Sequence, residues 1–432
     1  MPAEPVDILL FVEHVARELD IACAVKHLVQ RRHGLRIEVA SLAWRLEDTF
    51  GRYQPAVVVM PYCYSQVDFA THQILPVWPD ASYVSLSYEQ VFQQIQKGHK
   101  APRDRFSRAH VLHHAWGDFY AGFLKESGVP PENIVVNGNP TYQLYLPPYR
   151  DYFISRAELA GRYHLDPARR WLLVPENYGV GFLNDRQLAS RYGQFRGTAA
   201  EGFRDFAADS FRAAAKWWRK AGDLPGVEMI LRPRPATPRE KIMQALTEDG
   251  ATIPPHMHVI KQETAREWIL AADVVASSYS TTLIESAVAE KPILMLEPIP
   301  FPEYMHAEWY DLVPRVATEE AFLEAARGPG PGQTYRPLQD WAHRNMLSRG
   351  DVIANIAALL AAVRRKQRPV PVPPGIGILK ERPKEPIGKR LRGLLSRAKH
   401  ALIRIPGKSW EADEITDAEL ARRLARWEHV LG

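Results

Sequence analysis

Two successive sets of short apolar runs, each alternating with helix-patterned stretches, constrain this chain more than any other feature. The first set is VDILLFV (6–12), LRIEVASL (35–42), AVVVMP (56–61), SYVSLSY (82–88), AHVLHHAWG (109–117) and NIVVNGNP (133–140). The second is RRWLLVPEN (169–177), VEMILRPRP (227–235), HMHVI (256–260), ADVVASS (272–278) and PILML (292–296). Runs this short that are bounded by turn residues fit buried strands. Stretches such as ARELDIACAVKHLVQRRHG (16–34), periodic and stopped by Gly34, fit the helices between them. Strand–helix alternation gives a mostly parallel sheet, and its restart near residue 169 gives two of them.

The chain has 432 residues, too many for one ordinary core, which agrees with two domains. The expected boundaries are 1–150 for a first Rossmann-like domain and 151–363 for a second. A Pro-rich linker at 364–386 and a basic amphipathic tail at 387–432 follow. Within that tail Ile387, Leu391, Leu394, Leu395, Ala398, Leu402 and Ile405 share one helical face, flanked by Lys and Arg. This pattern favours an anionic membrane surface through residues 387–405, with docking onto the protein's own body or onto an acidic partner as the alternatives. A last helix is expected at about Asp417–Leu431, carrying Trp427.

Charge follows the same division. Residues 364–432 hold 17 Lys and Arg against 8 Asp and Glu, so the net charge of +5 hides a mildly acidic body. No nucleic-acid partner is expected from such a body. The two cysteines, Cys23 and Cys63, are too few for a disulfide framework and wrongly spaced for zinc. No run of 18 apolar residues and no signal-peptide pattern occurs, so a cytoplasmic location at the inner face of the membrane is the expectation.

In open parallel sheets ligands bind beyond the carboxyl ends of the strands. That rule nominates Glu13 and His14 after the first strand, Glu176 and Asn177 after the first strand of the second set, Arg232 and Arg234 in ILRPRP, and the hydroxyl stretch of ASSYSTTLIESA (276–287). Ser278, Ser280, Thr281 and Thr282 stand where a strand gives way to a helix. They are read either as donors to an anionic group or as local caps, since Thr282 and Glu285 have capping-box spacing. Two Arg between prolines suit a phosphate, because the guanidinium fork donates two hydrogen bonds at once. Glu89 also follows a strand, and the adjacent His113 and His114 point to opposite faces of one. No metal site is expected.

With RPRP and ADVVASSYSTTLIESAVAEKPIL, the second half resembles the donor domain of GT-B glycosyltransferases, the branch acting on bacterial surface polysaccharides. The first half, with SYEQVF and HAWGDFYAGFLKESGVPPENIVVNGNP, is similar to surface carbohydrate biosynthesis proteins. The resemblance covers about residues 6–360. It implies an α/β GT-B fold, two Rossmann-like domains facing across a cleft, plus a helical tail. It also implies a metal-independent glycosyltransferase that needs no cofactor beyond its nucleotide-sugar substrate. The donor would be a CMP-linked acidic sugar or a UDP-sugar, and the acceptor a surface polysaccharide or lipid-linked glycan.

The same resemblance places Arg234 where the family often has His, Ser278, Ser280 and Thr281 near the donor phosphate, and Glu285 near the ribose. Glycosyl transfer requires a base for the acceptor hydroxyl, and Glu13 or His14 is nominated for that role. Glu176 is expected to face the anomeric carbon or a sugar hydroxyl, with Asn177 beside it. The alternatives are a CDP-glycerol/ribitol-type polyol phosphotransferase, a nucleotide-sugar epimerase, and a non-catalytic nucleotide-sugar-binding subunit of a polysaccharide assembly complex.

Overall fold

The computed structural model describes residues 3–42, 46–92, 97–192, 199–234, 237–328, 332–371 and 414–432. The basic face at 387–405 and most of the Pro-rich linker lie outside the described residues.

The chain divides into two compact units, Met1–Pro140 with Leu347–Gly432, and Thr141–Met346. In the first, six strands, β1 (Glu4–Val12), β2 (Ile37–Ser41), β3 (Tyr53–Met60), β4 (Ser82–Ser85), β5 (Val111–Ala115) and β6 (Ile134–Val136), form one sheet in the order β2-β1-β3-β4-β5-β6. Every pairing is parallel. A strand in such a sheet is covered on both faces, which is why β1 reads as an unbroken apolar run and Ile8–Val12 are all buried. The Val15–His33 helix then crosses over, and Gly34 ends it in the left-handed conformation (φ 66°), which a residue without Cβ adopts freely.

The second unit repeats the plan with β7 (Arg170–Pro175), β8 (Val227–Arg232), β9 (Met257–Val259), β10 (Val274–Ser277), β11 (Ile293–Leu296) and β12 (Arg315–Val316). Their order is β12-β11-β10-β7-β8-β9, again all parallel. Counted from β7 this is 3-2-1-4-5-6, the dinucleotide-fold order, and the strand order reverses between β7 and β10. In the first unit it reverses between β1 and β3. The two-residue β12 was not anticipated from sequence.

The division departs from the expected boundaries. It falls at 140/141, not 150/151, and residues 347–363 belong to the first unit. There the Val352–Arg364 helix lies against the Val15–His33 helix, with Arg364 Nε 2.6 Å from Asp7 Oδ1 and Asn137 Nδ2 donating to Val352 O at 3.0 Å. The Asp417–Leu431 helix also docks on the first unit rather than forming part of a free tail. Trp427 is fully buried there, its Nε1 donating to Asp20 O at 3.0 Å, while Arg423 pairs with the buried Asp20 carboxylate. Covering one Trp contributes on the order of 4 kcal/mol of transfer free energy, and the Arg423–Asp20 pair is a second attachment of this helix.

Candidate functional site

In the second unit, the loops after the parallel strands emerge at the carboxyl end of the sheet. Those after β7 and β10 flank the switch point, and they clasp each other. Asn177 Nδ2 reaches Tyr279 O at 3.5 Å, Tyr279 OH donates to Asn177 O at 3.0 Å, and Ser277 Oγ donates to Pro175 O at 2.6 Å. Gly181 lies so close to the Ala199–Gly222 helix that an added Cβ would stand 2.7 Å from the Ala208 amide nitrogen, which explains a glycine in that loop.

The hydroxyl stretch divides between internal and outward roles. Ser280 Oγ bonds the Thr282 hydroxyl and accepts from the Thr282 amide at 3.3 Å, and Ser286 Oγ donates to Thr282 O at 2.7 Å. Thr281 is exposed and Ser280 and Thr282 are half-buried. Ser278 is buried, its Oγ directed at the equally buried Tyr178 hydroxyl without a hydrogen bond of good geometry. The expected Thr282–Glu285 capping box does not form. Thr281 is the N-cap of the Thr282–Val288 helix and makes no side-chain cap bond, and Glu285 Oε2 instead accepts from Tyr145 OH at 2.6 Å.

Two further expectations are corrected. Arg232 does not present its fork at the crevice. It is buried, with Nη2 donating to Glu263 O at 2.7 Å, and burial lowers its pKa against the support of nearby Glu267, Tyr145 and Glu285. Glu176 is buried as well. Its carboxylate accepts from the Tyr178 amide and, at 3.3 Å, from the Arg234 amide, so it ties the β7 loop to the β8 loop and does not face a sugar. Burial raises its pKa, with these amides and Arg234 opposing. Arg234 is the exposed member of the pair, its side-chain carbons lying against Gly179.

In the first unit Glu13 and His14 stand at the end of β1, beside that sheet's own switch point. Sequence reasoning missed what organises them. Glu18, fully buried one turn into the following helix, accepts from the Glu13 amide at 2.7 Å and the His14 amide at 3.4 Å, and from Arg17 Nε at 3.0 Å and Nη2 at 2.6 Å. Arg17 continues to Glu89 at 2.7 Å and to Glu13 at 3.5 Å. The signal was present as a Glu five residues beyond a strand-ending Glu, a spacing at which a helix's first turn faces back to its entry loop.

The Glu13 and Glu89 carboxylates differ. Burial raises the Glu13 pKa, with His14 and Arg17 opposing and Glu18 adding to it. Glu89 is held down at about 2, because Arg17 and Lys100 outweigh its desolvation. Carboxylates pushed apart in this way occur at acid–base sites and in structural ion-pair networks alike. His14 is exposed, with Nε2 4.0 Å from Glu13 Oε2. His113 and His114 are fully buried on β5, and each ring is engaged by neighbouring protein groups. His113 Nε2 meets Ser107 O at 2.7 Å, and His114 Nε2 meets Asn137 Nδ2 at 3.1 Å. Among the described residues no group of three or more His, Cys, Asp or Glu is placed to hold a metal ion, and no helix is long and apolar enough to cross a membrane.

No family model matches the chain, and no curated protein sequence does. Solved structures match over most of its length. The wall teichoic acid polymerase TagF aligns with 85% of this chain and 90% of its own at a TM-score of 0.54 and 9% identity. A Listeria monocytogenes protein assigned as a UDP-N-acetylglucosamine 2-epimerase aligns at 0.53 and 11% identity, covering 85% and 99%. S. aureus MnaA in complex with UDP aligns at 0.51 and 10% identity, covering 84% and 97%. These are GT-B-fold proteins, and this chain has that α/β fold.

Proposed function

We propose that this chain is a GT-B glycosyltransferase whose second unit holds a nucleotide-linked donor at the β7/β10 switch point. One observation carries the reading: Asn177, Arg234 and the stretch from Ser280 through Thr281 to Thr282 stand on three loops at the carboxyl end of the sheet, where such sheets bind ligands, and Glu176 and Tyr279 tie those loops together. There Arg234 is the exposed cation facing the donor's phosphate, and the hydroxyls add neutral donors. Both stabilise the negative charge that develops on a departing nucleotide, which removes the need for a metal at that step. Ser278 lines the floor behind them. Buried Arg232 and Glu176 and half-buried Glu285 act through others, as posts that fix the loops.

UDP and CDPG occur in fold relatives, in the MnaA complex and in a TagF variant respectively, which supports a cytidine or uridine donor. In the first unit Glu13 is the base for the acceptor hydroxyl. Its raised pKa makes its carboxylate a stronger proton acceptor than an ordinary Glu.

Product mass tests this. With cytidine- and uridine-linked sugars and a glycan acceptor, the product is expected to gain the mass of one glycosyl residue, with the nucleotide released. Gain of a phosphoryl-polyol mass would identify the polyol phosphotransferase instead, and isomerised donor without acceptor an epimerase.

A further inference from the structure

We propose that the first unit takes its acceptor as an uncharged, polyhydroxylated sugar ring laid on Tyr62, and that it rejects polyanionic acceptors. The inference rests on the transfer reading above and names the acceptor class for it.

The loop after β3 carries Tyr62 and Tyr64, stacked with centroids 5.5 Å apart and ring planes 18° apart. Two carboxylates fix this loop from below. Asp68 accepts from the Tyr64 and Ser65 amides at 2.9 and 2.7 Å, and Asp104 accepts from Ser65 Oγ and the Gln66 amide, both at 2.7 Å. Tyr64 is buried beneath Lys100, whose Nζ stands 5.8 Å from its ring centroid. Tyr62 is half-buried, packed on the sheet's core and stacked on Tyr64. Strands β1 and β3 pair with Leu10 opposite Val59, so Glu13 and Tyr62 leave the sheet on adjacent loops. The carboxyl end of the sheet at its switch point therefore combines an aromatic face, a proton-accepting carboxylate and a rigid mount.

Charge decides what enters. The cations of this cluster are committed to carboxylates: Arg17 to Glu18 at 2.6 Å and Glu89 at 2.7 Å, Lys100 to Glu89, and Arg103 to Asp68 at 2.6 Å. A phosphate arriving here would have to displace a carboxylate from each cation and would then face Glu13, Glu89 and Asp68, a like-charge juxtaposition. Sugar hydroxyls meet the opposite situation, since carboxylate oxygens accept their protons. The C–H face of a sugar ring suits the negative face of a tyrosine ring. The contrast with the exposed Arg234 of the second unit is in kind: one end is furnished for an anion, the other for a neutral polyol.

The test uses saturation-transfer NMR on the full chain with neutral gluco-, galacto- and manno-configured trisaccharides and, separately, poly(glycerol phosphate). At least one trisaccharide is expected to bind, with affinity falling tenfold or more in Tyr62→Ala and held within threefold in Tyr62→Phe. Poly(glycerol phosphate) is expected to give no signal. Binding of the phosphate polymer, equal trisaccharide binding by wild type and Tyr62→Ala, or no binding by any trisaccharide would each overturn the proposal. Loss of binding in both variants would show that the loop, not the ring, matters, and would overturn it too. Nucleotide binding, read separately on the same samples, reports on the second unit alone and separates failure of this inference from failure of the transfer reading.

Discussion

Glu13→Gln is expected to lower turnover about 10²- to 10⁴-fold, the usual contribution of a positioned general base, while nucleotide affinity stays within a factor of two. The amide keeps the size and hydrogen-bonding reach of the side chain but cannot take the acceptor's proton. The pH profile carries a second signature. The working form of a base is the carboxylate, and burial raises the Glu13 pKa. The acid limb of kcat/KM in the wild type therefore lies above the ordinary glutamate range and is absent from the residual activity of the variant. Wild-type turnover by Glu13→Gln, or an unchanged acid limb, would remove Glu13 from the mechanism.

The second large effect concerns stability. His113 and His114 each have a pKa lowered by burial from about 6.5 to about 4. Above pH 6.5 both folded and unfolded chains hold these rings neutral, so they leave stability unchanged. Between 6.5 and 4 the unfolded chain binds protons that the folded one refuses, and stability falls as pH falls. Each ring is worth about 3 kcal/mol across that window. Glu13 and Asp68, with raised folded values, act in the opposite sense as pH falls, while Glu89, held at about 2 in the folded chain, adds to the loss at the acid end of the window, where the unfolded chain begins to protonate that carboxylate. Denaturant unfolding at pH 7.0, 5.5 and 4.5 is expected to show a first-unit midpoint dropping steeply below pH 6. His114→Gln, which leaves nothing to protonate at that position, is expected to flatten the drop by about half. A midpoint independent of pH over this range would contradict the assignment of two neutral buried imidazoles.

Much of the fold is legible in the residues because it depends on local pattern. VDILLFV can only be a strand covered on both faces, and the Gly34 stop follows from the periodic run before it. Lateral strand order is another matter. Nothing in β9 or β12 states which neighbour it pairs with, since parallel partners are brought together across long crossovers. The Val352–Arg364 helix illustrates the same limit. VIANIAALLAAV is apolar on most sides, so it must be covered, yet only Asp7 and Asn137, more than two hundred residues earlier, determine that the first sheet does the covering.

At the candidate site the positions were readable and the roles were not. The strand-end rule found Arg232, Arg234 and Glu176, but charge between prolines suggests a surface turn. Burial of Arg232 depends on Glu267 and Glu285, which lie on helices well beyond it. Glu176 followed a strand as a catalytic carboxylate would, and the amides of Tyr178 and Arg234 claimed it. Glu18 went unnoticed because a glutamate in the first turn of a helix is ordinary, and only the fold shows its carboxylate turned back onto Glu13 and Arg17.

The account depends most on the second unit binding a nucleotide through the loops after β7, β8 and β10. Calorimetric titration of the full chain with CMP, CDP, UDP and GDP, repeated with Arg234→Ala, tests that most directly. A cytidine or uridine nucleotide is expected to bind at one site per chain, and removing a charge-assisted contact worth about 1.5–3 kcal/mol is expected to weaken it roughly 10- to 150-fold. Silence from all four nucleotides, or equal affinity in Arg234→Ala, would contradict it.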